Sequence, residues 1–308
     1  MSLLRPLLNG YLRQIEKRRL ARTTDVSHIR RRLAFQARYF FHAPRGTRQR
    51  WDTFTAGGRH VGALEVVPPE LNSDAVIFYI HGGGFVFGNP RTHAAMLGHL
   101  AGLLGMRAVL PEYALAPESP YPAAVADIRT AWNGLIASGV RPSRIFVGGD
   151  SAGGALALGL LAELASSGAA QPGGVFCFSP LTDLTFSGES IRSNAKSEAL
   201  LPAQRAHEMA QLYLAGQDAE DPRVSPLFAN YKGAAPVWIT VGDTEMLRDD
   251  ARRMVARLKA DKVQVTFVEQ HDLPHVWPLF HNILPEARQC LNALAEWIRP
   301  QLDLPSEN

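Results

Sequence analysis

Beyond Pro44-Arg45-Gly46 the apolar positions of the chain fall into short runs: Val61 to Val67, Ala75 to Ile80, Arg107 to Leu110, Arg144 to Val147, Val175 to Phe178, Val237 to Val241 and Val263 to Val268. Runs of this length, rich in β-branched and aromatic residues, predict strands. Between the later ones, Pro122 to Ala137, Gly153 to Ser166, Asp249 to Ala260 and Pro285 to Ile298 read as helices. Strand alternating with helix predicts an α/β protein whose mostly parallel central sheet is flanked by helices on both faces. Two stretches break the rhythm. From Leu3 to Phe41, positions Leu8, Tyr11, Leu12, Ile15 and Leu20 recur at helical spacing and predict two helices; from Leu184 to Lys232 there is no strand-like run, and Pro202 to Leu214 reads as a helix. Residues 1–45 and 184–232 are therefore expected to form a small helical cap over a main domain built from 46–183 and 233–308.

With 308 residues, 46% of them hydrophobic, the chain suffices for one large core and an appended cap. It contains no apolar run of the ~20 residues that span a bilayer, and its start lacks the apolar segment and cleavage site of a secretory signal. A cytoplasmic protein without stable membrane anchoring is the expectation. Cys177 and Cys290 have no Cys or His neighbours at metal-ligand spacing, which predicts buried free thiols and no metal. The net charge of +3 conceals an asymmetry: residues 1–50 hold thirteen basic residues against Glu16 and Asp25, a net +11 that leaves −8 for the remainder. Such a segment suits nucleic acid, an anionic membrane surface, or an exposed helical face paired with acidic groups of the same protein. No RNA or DNA motif accompanies the charge, so the last of these is expected and nucleic acid is not.

Chemistry enters at Val147-Gly148-Gly149-Asp150-Ser151-Ala152-Gly153-Gly154, which follows the apolar run Ile145 to Val147 and precedes the helical Ala155 to Leu161. G-x-S-x-G alone is weak, but a strand before it and a helix after it give the context of a sharp turn that lifts a serine hydroxyl clear of the backbone. Gly149 and Gly153 leave room for that turn, and the helix N-terminus favours developing negative charge. A phosphate cradle is the competing use of such a turn, yet neither G-x-x-x-x-G-K-[ST] nor G-x-G-x-x-G occurs at this point. Upstream, His81-Gly82-Gly83-Gly84-Phe85 follows the strand that ends at Ile80. Glycine amides can approach a substrate carbonyl without an intervening Cβ, so the amides of Gly83, Gly84 and Ala152 form a candidate oxyanion hole. A serine nucleophile also needs a base held by an acid. In an α/β-hydrolase sheet the order is Ser, acid, His, which restricts the base to His271, His275 or His281 and the acid to the loop after Val241, where Asp243 and Glu245 both stand.

Together with Tyr113-Ala114-Leu115-Ala116-Pro117-Glu118 and Asp221-Pro222-Arg223-Val224-Ser225-Pro226-Leu227, these motifs resemble the hormone-sensitive-lipase-like family of bacterial carboxylesterases, from about Phe54 to Ile298. The family more often has Arg where Ala114 stands. The resemblance implies an α/β-hydrolase fold with a small helical cap, and a catalytic triad of Ser151, Glu245 and His275. His275 is selected because Pro274-His275-Val276-Trp277 is similar to the family's histidine motif, which leaves His271 and His281 as surface or capping residues. Ungapped matching through Leu247 and Asp249 selects Glu245, with Asp243 the runner-up and Asp249 and Asp250 read as caps of the following helix. The resemblance also implies a structural His81 that anchors the glycine loop, hydrolysis of short- to medium-chain small-molecule esters, and no cofactor. Lactone, amide and carbamate cleavage could use the same triad. A binding-only relative of this fold has lost the histidine that is present here as His275. Family members often dimerise through a sheet edge, and Val263 to Val268, read as a late edge strand, is compatible with a homodimer.

Overall fold

The computed structural model describes residues 2–302. Among these residues eight strands form one sheet: β1 (Arg48–Ala56), β2 (Arg59–Val67), β3 (Val76–Ile80), β4 (Arg107–Pro111), β5 (Ile145–Asp150), β6 (Gly174–Phe178), β7 (Val237–Gly242) and β8 (Val265–Gln270). Their spatial order is β1-β2-β4-β3-β5-β6-β7-β8. β2 pairs antiparallel with β1 and β4, and all other pairings are parallel. Every residue of β3, β5, β6 and β7 is buried, which is why these strands read as unbroken apolar runs rather than as alternation.

The helices are α1 (Leu4–Tyr11), α2 (Lys17–Arg22), α3 (Val26–Phe40), α4 (Pro90–Leu104), α5 (Ala123–Ala137), α6 (Ala152–Ser166), α7 (Ser190–Ser193), α8 (Ala203–Leu214), α9 (Arg248–Ala260) and α10 (Pro285–Leu302). A π-helical turn, Leu12–Glu16, joins α1 to α2. The sheet separates two apolar cores. One is closed by Ile128 of α5, Leu158 of α6 and Met254 of α9, the other by Leu97 of α4 and Leu291 of α10. α4 begins at a capping box, where Asn89 Oδ1 accepts from the Thr92 amide and Thr92 Oγ1 from the Asn89 amide, with Pro90 at the first helical position.

The neighbour order places the working loops. β3 lies between β4 and β5, so the chain leaves β3 toward one side and returns on the other, and the loops after β3 and β5 emerge side by side at the carboxyl end of the sheet. Such switch points are where open α/β sheets form crevices. Ile80, the last residue of β3, pairs with Gly149, so His81-Gly82-Gly83-Gly84 starts beside Asp150 and Ser151.

Candidate active site

Ser151 stands between β5 and α6 with φ 51° and ψ −120°, a region that side-chain-bearing residues rarely occupy. Such strain persists only where its surroundings over-determine it. Here the Ser151 amide donates to Phe178 O at 3.0 Å, and its carbonyl accepts from the amides of Leu181 (3.0 Å) and Ala155 (3.2 Å). The turn closes because its neighbours lack side chains: a Cβ at Gly149 would lie 2.4 Å from Gly153 O, and one at Gly153 would lie 2.1 Å from Ile80 O.

The loop after β3 is wired to this turn. Asp150, fully enclosed, accepts from the Gly82 amide (2.9 Å) and Tyr79 Oη (2.8 Å) and lies 3.1 Å from His93 Nε2. Burial alone would raise the Asp150 carboxyl, but the charge and hydrogen bond of His93, the Tyr79 hydroxyl and His81 together hold it below its ordinary value. His81 is buried, with Nδ1 2.9 Å from Gly82 O and its ring stacked on Tyr113 at 4.3 Å. Burial, with a smaller contribution from His93, pulls His81 down to about 4, so it is neutral near pH 7 and acts as a wedge beneath the glycines. Gly83 and Gly84 adopt φ 124° and 60°. The Gly83 carbonyl accepts from the amides of Val86 and Phe87, and a Cβ at Gly83 would meet Phe87 O at 2.1 Å. Among the described residues, the amides of Gly83, Gly84 and Ala152 donate to no acceptor.

Glu245 lies in the turn after β7. Its Oε2 is 2.7 Å from His275 Nδ1, and its Oε1 accepts from Ser179 Oγ (2.8 Å) and the Gly242 amide (2.6 Å). Both residues are buried. With Nδ1 donating to the carboxylate, Nε2 keeps its lone pair. Burial favours the neutral forms of both partners and so pushes Glu245 up, against the pull of its donors. For His275, burial is outweighed by the Glu245 hydrogen bond and charge, with Glu198 and Asp150 adding to them, and the imidazole is raised above its ordinary value. The direction that governs the chemistry is that of the imidazole, because three donors hold Glu245 as the anion.

Asp243 is placed elsewhere. Its Oδ2 pairs with the exposed His271 Nδ1 at 2.7 Å, and its Oδ1 accepts from the Asp272 amide at 2.8 Å. It braces the loop that carries His275 from below. Asp249 and Asp250 depart from the expected helix capping. Asp249 accepts from the Ser190 amide, and the buried Asp250 accepts from the amides of Thr182 and Asp183, so both carboxylates reach back to the segment after β6. His281, expected as a surface or capping residue, is buried, with its ring 5.5 Å from His99.

Ser151, His275, Gly83 and Gly84 line one cavity of about 490 Å³. Its other walls are mostly apolar and include residues of α1 to α3 (Leu8, Leu20, Leu33) and α8 (Met209). A Cβ at Gly84 would lie 3.1 Å from Met209 Sδ, so α8 closes directly over the glycine loop. Three supporting residues were not picked out from sequence. Ser179, at the carboxyl end of β6, donates to Glu245 and accepts from the Val276 amide (3.1 Å), tying the acid loop to the histidine loop. The fully buried Glu198 accepts from the Met246 amide at 3.0 Å. Arg30 of α3 donates to the carbonyls of Val86 and Ala116, both at 2.8 Å. Only Ser179 carried a signal, its position immediately after a fully apolar strand.

Residues 77–279 match a family model described as the alpha/beta hydrolase fold. An acetyl-hydrolase from Streptomyces hygroscopicus is 36% identical over 76% of this chain and 79% of its own. An esterase from Acinetobacter venetianus is 36% identical over 76% of this chain and 77% of its own. Among solved structures, an esterase from the bacterial hormone-sensitive lipase family superposes with a TM-score of 0.89 at 35% identity, over 98% of this chain and 99% of that one. An esterase/lipase from an uncultured bacterium reaches 0.91 at 32% identity, over 99% and 100%.

Proposed function

The chain belongs to the α/β-hydrolase family, among the bacterial esterases related to hormone-sensitive lipase, and on that premise we propose that it hydrolyses short- to medium-chain carboxylic esters through an acyl-serine intermediate. The observation that carries the reading is the buried Glu245–His275 pair, 2.7 Å apart, opening onto the same apolar cavity as the strained Ser151. Ser151 Oγ attacks the ester carbonyl carbon while its proton passes to His275 Nε2. The carbonyl oxygen, now an anion, is received by the amides of Gly83, Gly84 and Ala152. Collapse of the tetrahedral species breaks the bond to the alcohol oxygen, which leaves with the proton from His275. Water then repeats the sequence on the acyl-serine, giving up a proton to His275 and releasing the acid.

The helices of residues 1–45 and 184–232 act as the cap, since α1, α3 and α8 share the cavity wall. At about 490 Å³ the cavity is of the size that takes small molecules, which fits a short to medium acyl ester. The reading keeps the cytoplasmic setting and a small-molecule rather than nucleic-acid partner. It also offers β8, paired on one side only, as an edge for a second copy. Ser151→Ala tests the assignment. Turnover of a p-nitrophenyl ester is expected to fall by roughly three to six orders of magnitude with the melting temperature retained; undiminished turnover overturns it.

A further inference from the structure

Among the described residues, the basic amino-terminal segment does not find an acidic partner for each of its arginines. Arg30 pairs with Glu118, Arg32 with Glu16, Arg5 with Asp272 and Arg50 with Glu65. Arg18, Arg22, Arg31 and Arg38, all exposed on α2 and α3, have no acidic partner among the described residues. The two acids of the segment are already engaged: Glu16 by Tyr11, Arg19 and Arg32, and Asp25 by the His28 amide at the start of α3.

The segment from Leu3 to Phe40 also exposes large apolar side chains. Leu3 is 89% exposed, Leu7 72% and Phe35 60%, and Tyr11, Ile15, Tyr39 and Phe40 are exposed with them. Leu3, Leu7, Tyr11 and Ile15 recur every four residues, a spacing that the π-helical turn helps to keep on one face, and Arg18 and Arg22 extend the row. On α3 the sequence Arg31, Phe35, Tyr39 repeats the arrangement, with the two rings 4.4 Å apart. Tyr11 and Phe40 are both exposed and part of the wall of the cavity that holds Ser151, so the cavity opens within this face.

We propose that the outward face of α1 to α3 docks reversibly on an anionic lipid bilayer, with the cavity mouth turned toward the membrane, so that ester amphiphiles reach Ser151 from the lipid surface. Apolar side chains interleaved with arginines match the two layers of such a surface: leucine and phenylalanine enter the acyl boundary while guanidinium groups meet lipid phosphates, and tyrosine occupies the interface between them. A nucleic acid would use the arginines and leave Leu3 and Leu7 in water, which makes it the poorer fit. The rest of the chain carries a net −8, so the basic segment is the part of the sequence that an anionic membrane attracts. Among the described residues no helix is long and apolar enough to cross a membrane, so the attachment is peripheral.

Flotation with phosphatidylcholine vesicles, and with vesicles containing roughly one-third phosphatidylglycerol, tests the proposal. The full chain is expected to float with the anionic vesicles alone and to be released by high salt. Each arginine near such a surface contributes about a fivefold factor, so R18Q/R22Q/R31Q is expected to lower partitioning by roughly a hundredfold. L3S/L7S/F35S is expected to weaken it as well. None of these residues lines the cavity, and turnover of a water-soluble p-nitrophenyl ester by both variants stays within about twofold of the parent, the usual result of surface changes. Equal binding to neutral and anionic vesicles, or binding unaffected by the arginine changes, overturns the proposal. So does a dimer in sedimentation, without vesicle binding, that L3S/L7S/F35S dissociates, because the face would then be covered by a second copy. Loss of soluble-ester turnover in Ser151→Ala is independent of every one of these outcomes.

Discussion

At the residue scale the site is decided by which carboxylate faces the imidazole. Two acid–histidine pairs lie next to each other, Glu245 with His275 and Asp243 with His271, both at 2.7 Å, but the first is enclosed and the second is solvated. In the enclosed pair a low dielectric strengthens the charge of Glu245 at His275; in the solvated pair water screens it. The raised His275 must lose its proton before it can serve as base, so kcat/KM should climb with pH through an inflection above the ordinary histidine value of 6.5. Glu245→Gln keeps the shape and removes the anion. Burial then acts on His275 against only the smaller pull of Glu198 and Asp150, and the inflection should move to lower pH while kcat drops by roughly two to four orders of magnitude. Asp243→Asn should leave the inflection in place and kcat within about threefold, since Asn keeps an oxygen for the Asp272 amide and loses only the solvent-screened pairing with the exposed His271. A pH profile that shifts in the Asp243 variant and not in the Glu245 variant reverses the assignment.

At the scale of elements, α6 shows why two glycines of one helix have opposite meanings. Gly153, in its first turn, lies against the end of β3: an added Cβ would sit 2.1 Å from Ile80 O and 2.5 Å from His81 O. Gly159, two turns on, has nothing within 4 Å of that position. Gly153→Ala should therefore destabilise by about 1–3 kcal/mol and lower kcat, because the helix start and the glycine loop must part. Gly159→Ala should raise the melting temperature, gaining roughly 0.5–1 kcal/mol of helix propensity with activity unchanged. Thermal melts alongside ester kinetics read both, and a stabilised Gly153→Ala would refute the packing argument. Elements whose physics is local were legible in the chain. β3, β6 and β7 lie within one residue of their apolar runs because both of their faces are buried, and β5 begins within one residue of its run but continues three residues past it through Gly148, Gly149 and Asp150. β1 was missed since Phe54 is its only buried side chain, which leaves no inward row to read. β8 begins two residues later than its apolar run, because the Val263 amide closes the end of α9 onto Leu258 O. The strand-turn-helix around Ser151 and the glycine loop could be read for the same reason. The partners of Ser179, Glu198 and Arg30 could not, even though Ser179 stands in a telling place after β6, because each acts across a sequence distance that only the fold brings together.

Across the whole molecule, the amino-terminal helices reach both halves of the site. From the α1–α2 side, Arg13 donates to Ser197 O (2.7 Å) and Lys17 to the carbonyls of Ala195 (2.7 Å) and Glu198 (2.8 Å), and Glu198 in turn holds the amide next to Glu245. From α3, the Arg30 guanidinium spans Val86 O, Ala116 O and the Glu118 carboxylate. Val86 is also the residue whose amide binds Gly83 O, so the arginine braces the turn that presents the Gly83 and Gly84 amides. If these helices act as the proposed cap and the Gly83 and Gly84 amides as the proposed oxyanion donors, Arg30 couples the seating of one to the alignment of the other. Arg30→Ala leaves two carbonyls without their donor and frees the turn to move, and small displacements of donors are expensive in the transition state. The expected result is a kcat lowered roughly ten- to a hundredfold with KM changed little. The melting temperature should fall by only a few degrees, because the Glu118 partner is largely exposed and its ion pair is screened. Arg30→Lys should not restore the rate, since an ammonium group cannot span three acceptors with the geometry of a planar fork. A fall in stability with kcat preserved would instead make Arg30 a strut of the cap alone, with no hold on the glycine loop.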